Sequence, residues 1–198
     1  DVSAERIQME LLKLLISDHP EVLKTAYQTG LTGVFLPEFD RMMDTAQNNP
    51  HHRFSVGEHT LHAICAAEAN PVLRLTMLLH DVGKPATKTM SREILKRLKF
   101  DNKTMQMVSQ LIAHHDIRFK EPKTSGRRHV RKVMHSIGPS LFPYLLKVME
   151  ADVLAQSDYY QAEKLSILKE TEEACQEILK AKDCLSLRDL NINGNQLK

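Results

Sequence analysis

The chain has 198 residues, 42% of them hydrophobic, and 27 Lys and Arg balance 25 Asp and Glu to leave a net charge of +2. A chain of this length buries well over half of its unfolded surface without a disulfide or metal staple. A net charge this near zero excludes a whole-molecule attraction to nucleic acid, so any phosphate affinity must come from local patches.

From the N-terminus, Ser3 caps a predicted helix over Ala4 to Ile16, with Ile7, Leu11, Leu14 and Leu15 at helical spacing. Pro20 suits the first turn of a second helix that runs to about Thr29, where Gly30 ends it. Leu31 to Met43 is apolar and broken by Pro37, and Asp44 to Phe54 reads as a loop. Ser55 caps a helix through about Ala69, and Pro71 opens the next, Val72 to Val82, which Gly83 and Pro85 close. A short helix is expected over Ser91 to Lys99, and Asp101 caps another through about His115. Lys120 to Gly126 reads as a charged loop. Helices follow over Arg127 to Ile137, Pro139 to Gln156 and Ser157 to Ala181. No convincing period-2 strand pattern occurs. The expected fold is therefore all-α: a helical bundle with an N-terminal helical extension and a long C-terminal helix.

Cys65, Cys175 and Cys184 are too scattered for a disulfide framework or a zinc knuckle, and their odd number points to a reducing compartment, expected to be the cytoplasm. There is no signal-peptide pattern, and no apolar run approaches the roughly 18 residues a membrane span needs. No membrane partner is expected.

The informative residues are polar ones on apolar stripes, because burial without a partner costs roughly 2 kcal/mol or more. His59 shares a face with Val56, Thr60, Ala63 and Ala67. The helix from Val72 is apolar nearly all round, hence central, yet it ends in His80 and Asp81. Asp152 continues the stripe Leu141, Leu145, Val148, Met149, and His115 continues Met105, Val108, Leu111, Ile112. A single core histidine usually means only a satisfied hydrogen bond. Four helices that each direct a His or Asp inward point to a divalent ion, since imidazole nitrogen and carboxylate oxygen are its ligands. Ligands without thiolate suit Mn, Fe, Co, Ni, Zn or Mg, and the residues do not choose among them.

The order His59, His80-Asp81, Asp152 resembles the H…HD…D signature of the HD superfamily of metal-dependent phosphohydrolases. Glu58-His59-Thr60-Leu61 and Leu78-Leu79-His80-Asp81-Val82-Gly83-Lys84-Pro85 are similar to that family's two best motifs. The resemblance implies that His59, His80, Asp81 and Asp152 hold a metal, with His115 an additional ligand as in two-metal members. It makes His80, Asp81 and Lys84 the catalytic residues. Lys84 either takes a non-bridging phosphate oxygen or is an ordinary loop lysine.

The flanks resemble a narrower group. Val2-Ser3-Ala4-Glu5-Arg6-Ile7 with Glu10-Leu11, then Thr29-Gly30-Leu31 and Leu36-Pro37-Glu38, are similar to the segment that follows the catalytic head of CCA-adding tRNA nucleotidyltransferases. Leu187-Arg188-Asp189-Leu190-Asn191-Ile192-Asn193-Gly194-Asn195 resembles a turn that opens their next helical region. This implies an RNA-binding-like segment at 1–50, an HD domain at 51–157 and a truncated C-terminal extension at 158–198. No Gly-Ser or Gly-Gly turn is followed by an Asp-x-Asp pair, so nucleotide addition is not expected from this chain alone. It reads as part of a longer enzyme or as a stand-alone relative. The family's His-bearing loop is absent before Ser91-Arg92-Glu93-Ile94-Leu95. Either a mobile flap is missing near Met90, or the chain is continuous there and the site is unusually open.

Arg127 and Arg131, and likewise Arg128 and Lys132, stand four apart on one predicted helix. Arg127, Arg128 and Arg131 are therefore candidates for RNA or phosphate contact, against the alternative of a solvated helix face. The expected chemistry is hydrolysis of a phosphomonoester or a 2′,3′-cyclic phosphodiester, with tRNA or a nucleotide phosphate as the partner. The alternatives are a stand-alone nucleotide phosphohydrolase and a tRNA-binding module whose metal is not catalytic.

Overall fold

The computed structural model describes residues 2–46, 55–83, 87–156 and 160–181. Among these the secondary structure is helical, with no strand. The helices are α1 (Ala4–Ile16), α2 (Leu23–Gln28), α3 (Thr32–Phe35), α4 (Pro37–Asp44), α5 (Val56–Ala66), α6 (Pro71–Leu79), α7 (Thr87–Arg97), α8 (Asn102–His114), α9 (Arg127–Ile137), α10 (Phe142–Leu154) and α11 (Gln161–Lys180).

Local chemistry sets the starts. Ser3 and Ser55 each accept a backbone N–H from the third residue of their helices, and Asp101 does the same for α8. Asn70 caps α6 twice, from Val72 and Leu73, and Pro71 takes the first turn, where no N–H is needed. Several expected bounds shift. Pro20 opens a 3₁₀ turn over Pro20–Val22 before α2. Pro37 begins α4 instead of ending a helix, again because its missing N–H costs nothing at N1. Helix α10 starts at Phe142, leaving Pro139 and Ser140 in a turn after Gly138. α6 stops at Leu79, and His80 to Gly83 form the turn that follows, with Gly83 at φ +62°, where a Cβ would be strained.

α7 begins at Thr87, earlier than Ser91, and runs unbroken through Met90, where Ser91 Oγ donates to the Lys88 carbonyl at 3.0 Å. The expectation of a flap at residues 89–91 is therefore corrected: those residues are one continuous helix.

α6 is the central element and packs against α1, α5, α8 and α10. Leu73, Leu75, Met77, Leu78 and Leu79 are all buried. One apolar core runs from Leu11 of α1 to Ile178 of α11. Two polar joints tie the N-terminal helices to it. Arg74, 8% exposed, points back from α6 and donates to the carbonyls of Ala67 (3.1 Å), Leu15 (2.5 Å) and Ser17 (2.7 Å), closing the C-terminal ends of α5 and α1. Glu38 on α4 receives both prongs of Arg97 on α7, each at 2.7 Å. At Gly57 the start of α5 crosses α4 so closely that a Cβ would sit 2.7 Å from the Met43 Cα. That approach fixes the depth at which His59, two residues later, enters the core.

Candidate metal centre

His59 rises from the middle of α5, His80 and Asp81 stand in the turn closing α6, His115 closes α8, and Asp152 lies in the last turn of α10. All five are buried, none more than 8% exposed. The unusually open site expected for a continuous chain is not found. The ligand side chains end α6 and α8 against the packed helices α5 and α10, which leaves each of the five little exposed.

Each imidazole is anchored through Nδ1 on a backbone carbonyl: His80 on Met77 (2.7 Å), His115 on Ile112 (2.7 Å) and His59 on Ala155 (3.3 Å). A carbonyl only accepts, so each Nδ1 carries hydrogen and each Nε2 faces the interior. This is the arrangement in which a protein presents histidine to a metal. His59 Nε2 lies 3.2 Å from His80 Nε2 and 3.0 Å from Asp152 Oδ1, and His80 Nε2 lies 3.6 Å from the same oxygen. Two ligand atoms about 2.0–2.2 Å from one ion, at angles between octahedral and tetrahedral, lie about 2.8–3.6 Å apart. The His59, His80 and Asp152 atoms match these spacings, and they form a group able to hold an ion.

Asp81 stands on the other side of His80. Its Oδ1 is 3.6 Å from His80 Nε2 and 3.7 Å from His115 Nε2. His115 Nε2 is buried without a hydrogen-bond partner, 3.4 Å from an Asp116 carboxylate oxygen. Lys84 lies outside the described residues.

Electrostatics place a positive charge at the same point. Burial alone would push the His80 pKa down, but the carboxylates of Asp81 and Asp152 outweigh it and raise His80 to about 9. Asp152 is held well below the ordinary carboxylate range: burial opposes this, and hydrogen bonds to His59 and His80 overcome it. Without an ion, a proton on His80 supplies the cation that the two carboxylates demand.

Two residues joined to this site were not singled out in the sequence. Gln156, one turn beyond Asp152, donates to Asp152 Oδ2 at 2.9 Å, and Lys164 of α11 donates to Gln156 Oε1 at 2.7 Å. The spacing of Gln156 from Asp152 was available in the sequence. That α11 would bring Lys164 back to it was not. A cavity of about 70 Å³ opens beside the cluster. Arg118, Lys164 and Gln156 meet His115 and Asp152 there, against an apolar wall that includes Phe119 and Leu168.

On α9 the predicted cationic face divides. Arg127 donates to Glu177 of α11 at 2.7 Å and is half-buried, as is Arg131 one turn on. Arg128 and Lys132 are exposed.

The HD domain model matches residues 51–163, more than half of the chain. The chain belongs to the HD-domain family. Residues 1–43, ahead of the HD domain, match a second model, described as a probable RNA and SrmB-binding site of polymerase A. Among characterised relatives, a CC-adding tRNA nucleotidyltransferase of Thermus thermophilus is 30% identical over 207 residues, covering 92% of this chain and 46% of that protein. An A-adding tRNA nucleotidyltransferase of Deinococcus radiodurans is 29% identical over 75% of this chain and 38% of its own length. A bifunctional uridylyltransferase/uridylyl-removing enzyme of Phenylobacterium zucineum is 30% identical over 50% of this chain and 14% of its own. The chain thus spans less than half the length of these relatives. HD domains bind divalent metals, and the His59, His80 and Asp152 cluster is where this one could hold an ion. No helix of the described residues is long and apolar enough to cross a membrane.

Proposed function

We propose that the chain is the HD portion of a tRNA nucleotidyltransferase-like protein, and that its own chemistry is metal-dependent hydrolysis of a phosphomonoester or 2′,3′-cyclic phosphodiester. The observation that carries this is the convergence of His59 Nε2, His80 Nε2 and Asp152 Oδ1 at ligand-to-ligand distances, with each histidine anchored through its other nitrogen. His59, His80, Asp81 and Asp152 would hold the ion, with His115 beside them. A divalent ion there supplies Lewis-acid polarisation of a phosphoryl oxygen and lowers the pKa of a coordinated water.

The chain's own groups do the rest. The Met77 and Ala155 carbonyls fix the two ring orientations. Gln156 occupies the second oxygen of Asp152 and leaves Oδ1 facing the histidines. Arg118 and Lys164, beside the cluster, offer cationic donors to the remaining phosphate oxygens, and Lys84 would add a third. A relative named as uridylyl-removing, aligned over half of this chain, supports a cleaving activity. The division into an RNA-binding-like segment at 1–50, the HD domain at 51–157 and an extension at 158–198 is proposed as one of function, since a single core runs through all three. The exposed free thiol of Cys65 supports a reducing location, the cytoplasm.

The test begins from metal-depleted protein. Mn²⁺, Co²⁺, Ni²⁺, Zn²⁺ and Mg²⁺ are added singly, and phosphate release from p-nitrophenyl phosphate and opening of a nucleoside 2′,3′-cyclic phosphate are followed. At least one ion restores turnover, and Asp81→Ala lowers it about a hundredfold or more with helicity kept. A second reading, a tRNA-binding module with a non-catalytic ion, is favoured by the RNA-binding match at 1–43. Ion binding without turnover on either substrate would select it.

A further inference from the structure

The small net charge conceals a strong segregation. Residues 87–138 carry 13 Lys and Arg against 4 Asp and Glu, while the rest of the chain carries 14 against 21. Residues 1–43, which match the RNA-binding description, hold 4 basic against 7 acidic residues. A phosphate backbone is attracted to the first of these regions and not to the last.

The fold gathers the excess. Lys88 and Arg92 stand one turn apart on α7 and line a groove of about 470 Å³ against α8. The α8 wall is the row Gln106, Gln110, His114, again one turn apart. His114 Nε2 meets Ser136 Oγ of α9 at 3.1 Å, and Ser136 continues the row Arg128, Lys132. Three helical rows thus meet at His114, cationic on both flanks and lined with amides and hydroxyls between. Lys88, Arg92, Arg128 and Lys132 are all exposed, and none has a carboxylate partner among the described residues. Nearby cations do have one: Arg97 holds Glu38, Lys123 holds Glu173, and Arg127 holds Glu177. Unpaired cations beside neutral donors suit an anion with repeating charges and sugar hydroxyls. The groove has no aromatic side chain on which an unstacked base would sit.

We infer that the α7–α8–α9 groove is the backbone-docking surface for a folded RNA, and that the acidic segment 1–43 does not make the phosphate contacts. The inference rests on RNA being the partner, not on the hydrolytic reading of the metal centre.

The experiment measures binding of a fluorescein-labelled tRNA transcript to the full chain by anisotropy from 50 to 300 mM salt. Lys88→Gln with Arg92→Gln, and separately Arg128→Gln with Lys132→Gln, should each weaken binding about tenfold at 150 mM. Each pair should also reduce the slope of log K against log salt by roughly 1.5 to 2, since two phosphate contacts are lost. Lys13→Gln with Lys24→Gln, in the segment 1–43, should change neither by more than about twofold. Unchanged affinity and slope in both groove variants would overturn the inference. So would an equal loss in the Lys13/Lys24 variant, or tRNA binding by the unaltered chain that ignores salt. Helicity by circular dichroism confirms that each variant is folded. Hydrolysis of p-nitrophenyl phosphate, measured on the same variants, should stay at the unaltered level, so failure of the groove and failure of the metal chemistry are read separately.

Discussion

Arg74, inside the central helix α6, and His80, just past its end, stand six residues apart, and both are buried polar groups. Arg74 is closed. Its guanidinium meets three backbone carbonyls that the ends of α1 and α5 would otherwise leave unpaired. His80 satisfies Nδ1 in the same manner, but its Nε2 faces a second histidine nitrogen and two carboxylates at 3.2 to 3.6 Å. Such a set is complete only with a cation among its members. A buried polar group whose partners are all backbone does structural work. One whose partners are other titratable side chains is arranged for something that binds.

Three substitutions sharpen that contrast. The largest effect belongs to the closed network. Arg74→Met strands two buried carbonyls and one half-buried one and should cost about 3 kcal/mol, lowering Tm by roughly 6 to 12 °C, with ion affinity per folded molecule unchanged. A matched loss of ion affinity would show that the two networks are not separate. Gln156→Ala should do the reverse: about a tenfold loss in ion affinity by calorimetric titration, with Tm nearly unmoved, because it frees the second oxygen of Asp152. If Tm falls and affinity holds, Gln156 belongs with Arg74.

The smallest effect is at the α4–α7 joint. Glu38 is buried, but Arg97 is 45% exposed on its side chain, so screening limits Glu38→Gln to about 1 kcal/mol. The sign with pH follows from the carboxyl. Burial pushes its pKa up, and the two hydrogen bonds from Arg97 pull it below the ordinary 4.5. A lowered carboxyl stabilises the fold above its unfolded value. That contribution disappears as pH falls through the lowered value. Melting curves of Glu38→Gln and the unaltered chain should therefore differ near pH 7 and converge in acid.

What the sequence disclosed follows the same division. Histidines and an aspartate on apolar stripes were visible because a period of 3.6 sets burial, and burial makes a polar residue conspicuous. The all-helical architecture was visible for the same reason. Arg74 was not, since it lies on a helix that reads as apolar all round and its partners are carbonyls, which leave no mark in a sequence. Lys164 was hidden by topology: only the return of α11 brings it to Gln156. On α9 the spacing of Arg127 and Arg131 looked the same as that of Arg128 and Lys132. The pairing of Arg127 with Glu177, fifty residues on, separates the two rows. The expectation of an open site failed because openness depends on which helices cross over the ligands, and spacing along the chain does not state that.

The proposed ion site rests on the convergence of His59, His80 and Asp152, with Asp81 adjoining His80. X-ray absorption at the cobalt edge of Co²⁺-loaded protein tests it most directly. Two or three imidazole nitrogens with carboxylate oxygens are expected at about 2.0–2.2 Å, with loss of that shell in a His59→Ala, Asp152→Ala double variant. An all-oxygen shell, or an imidazole shell that survives in the double variant, would contradict it.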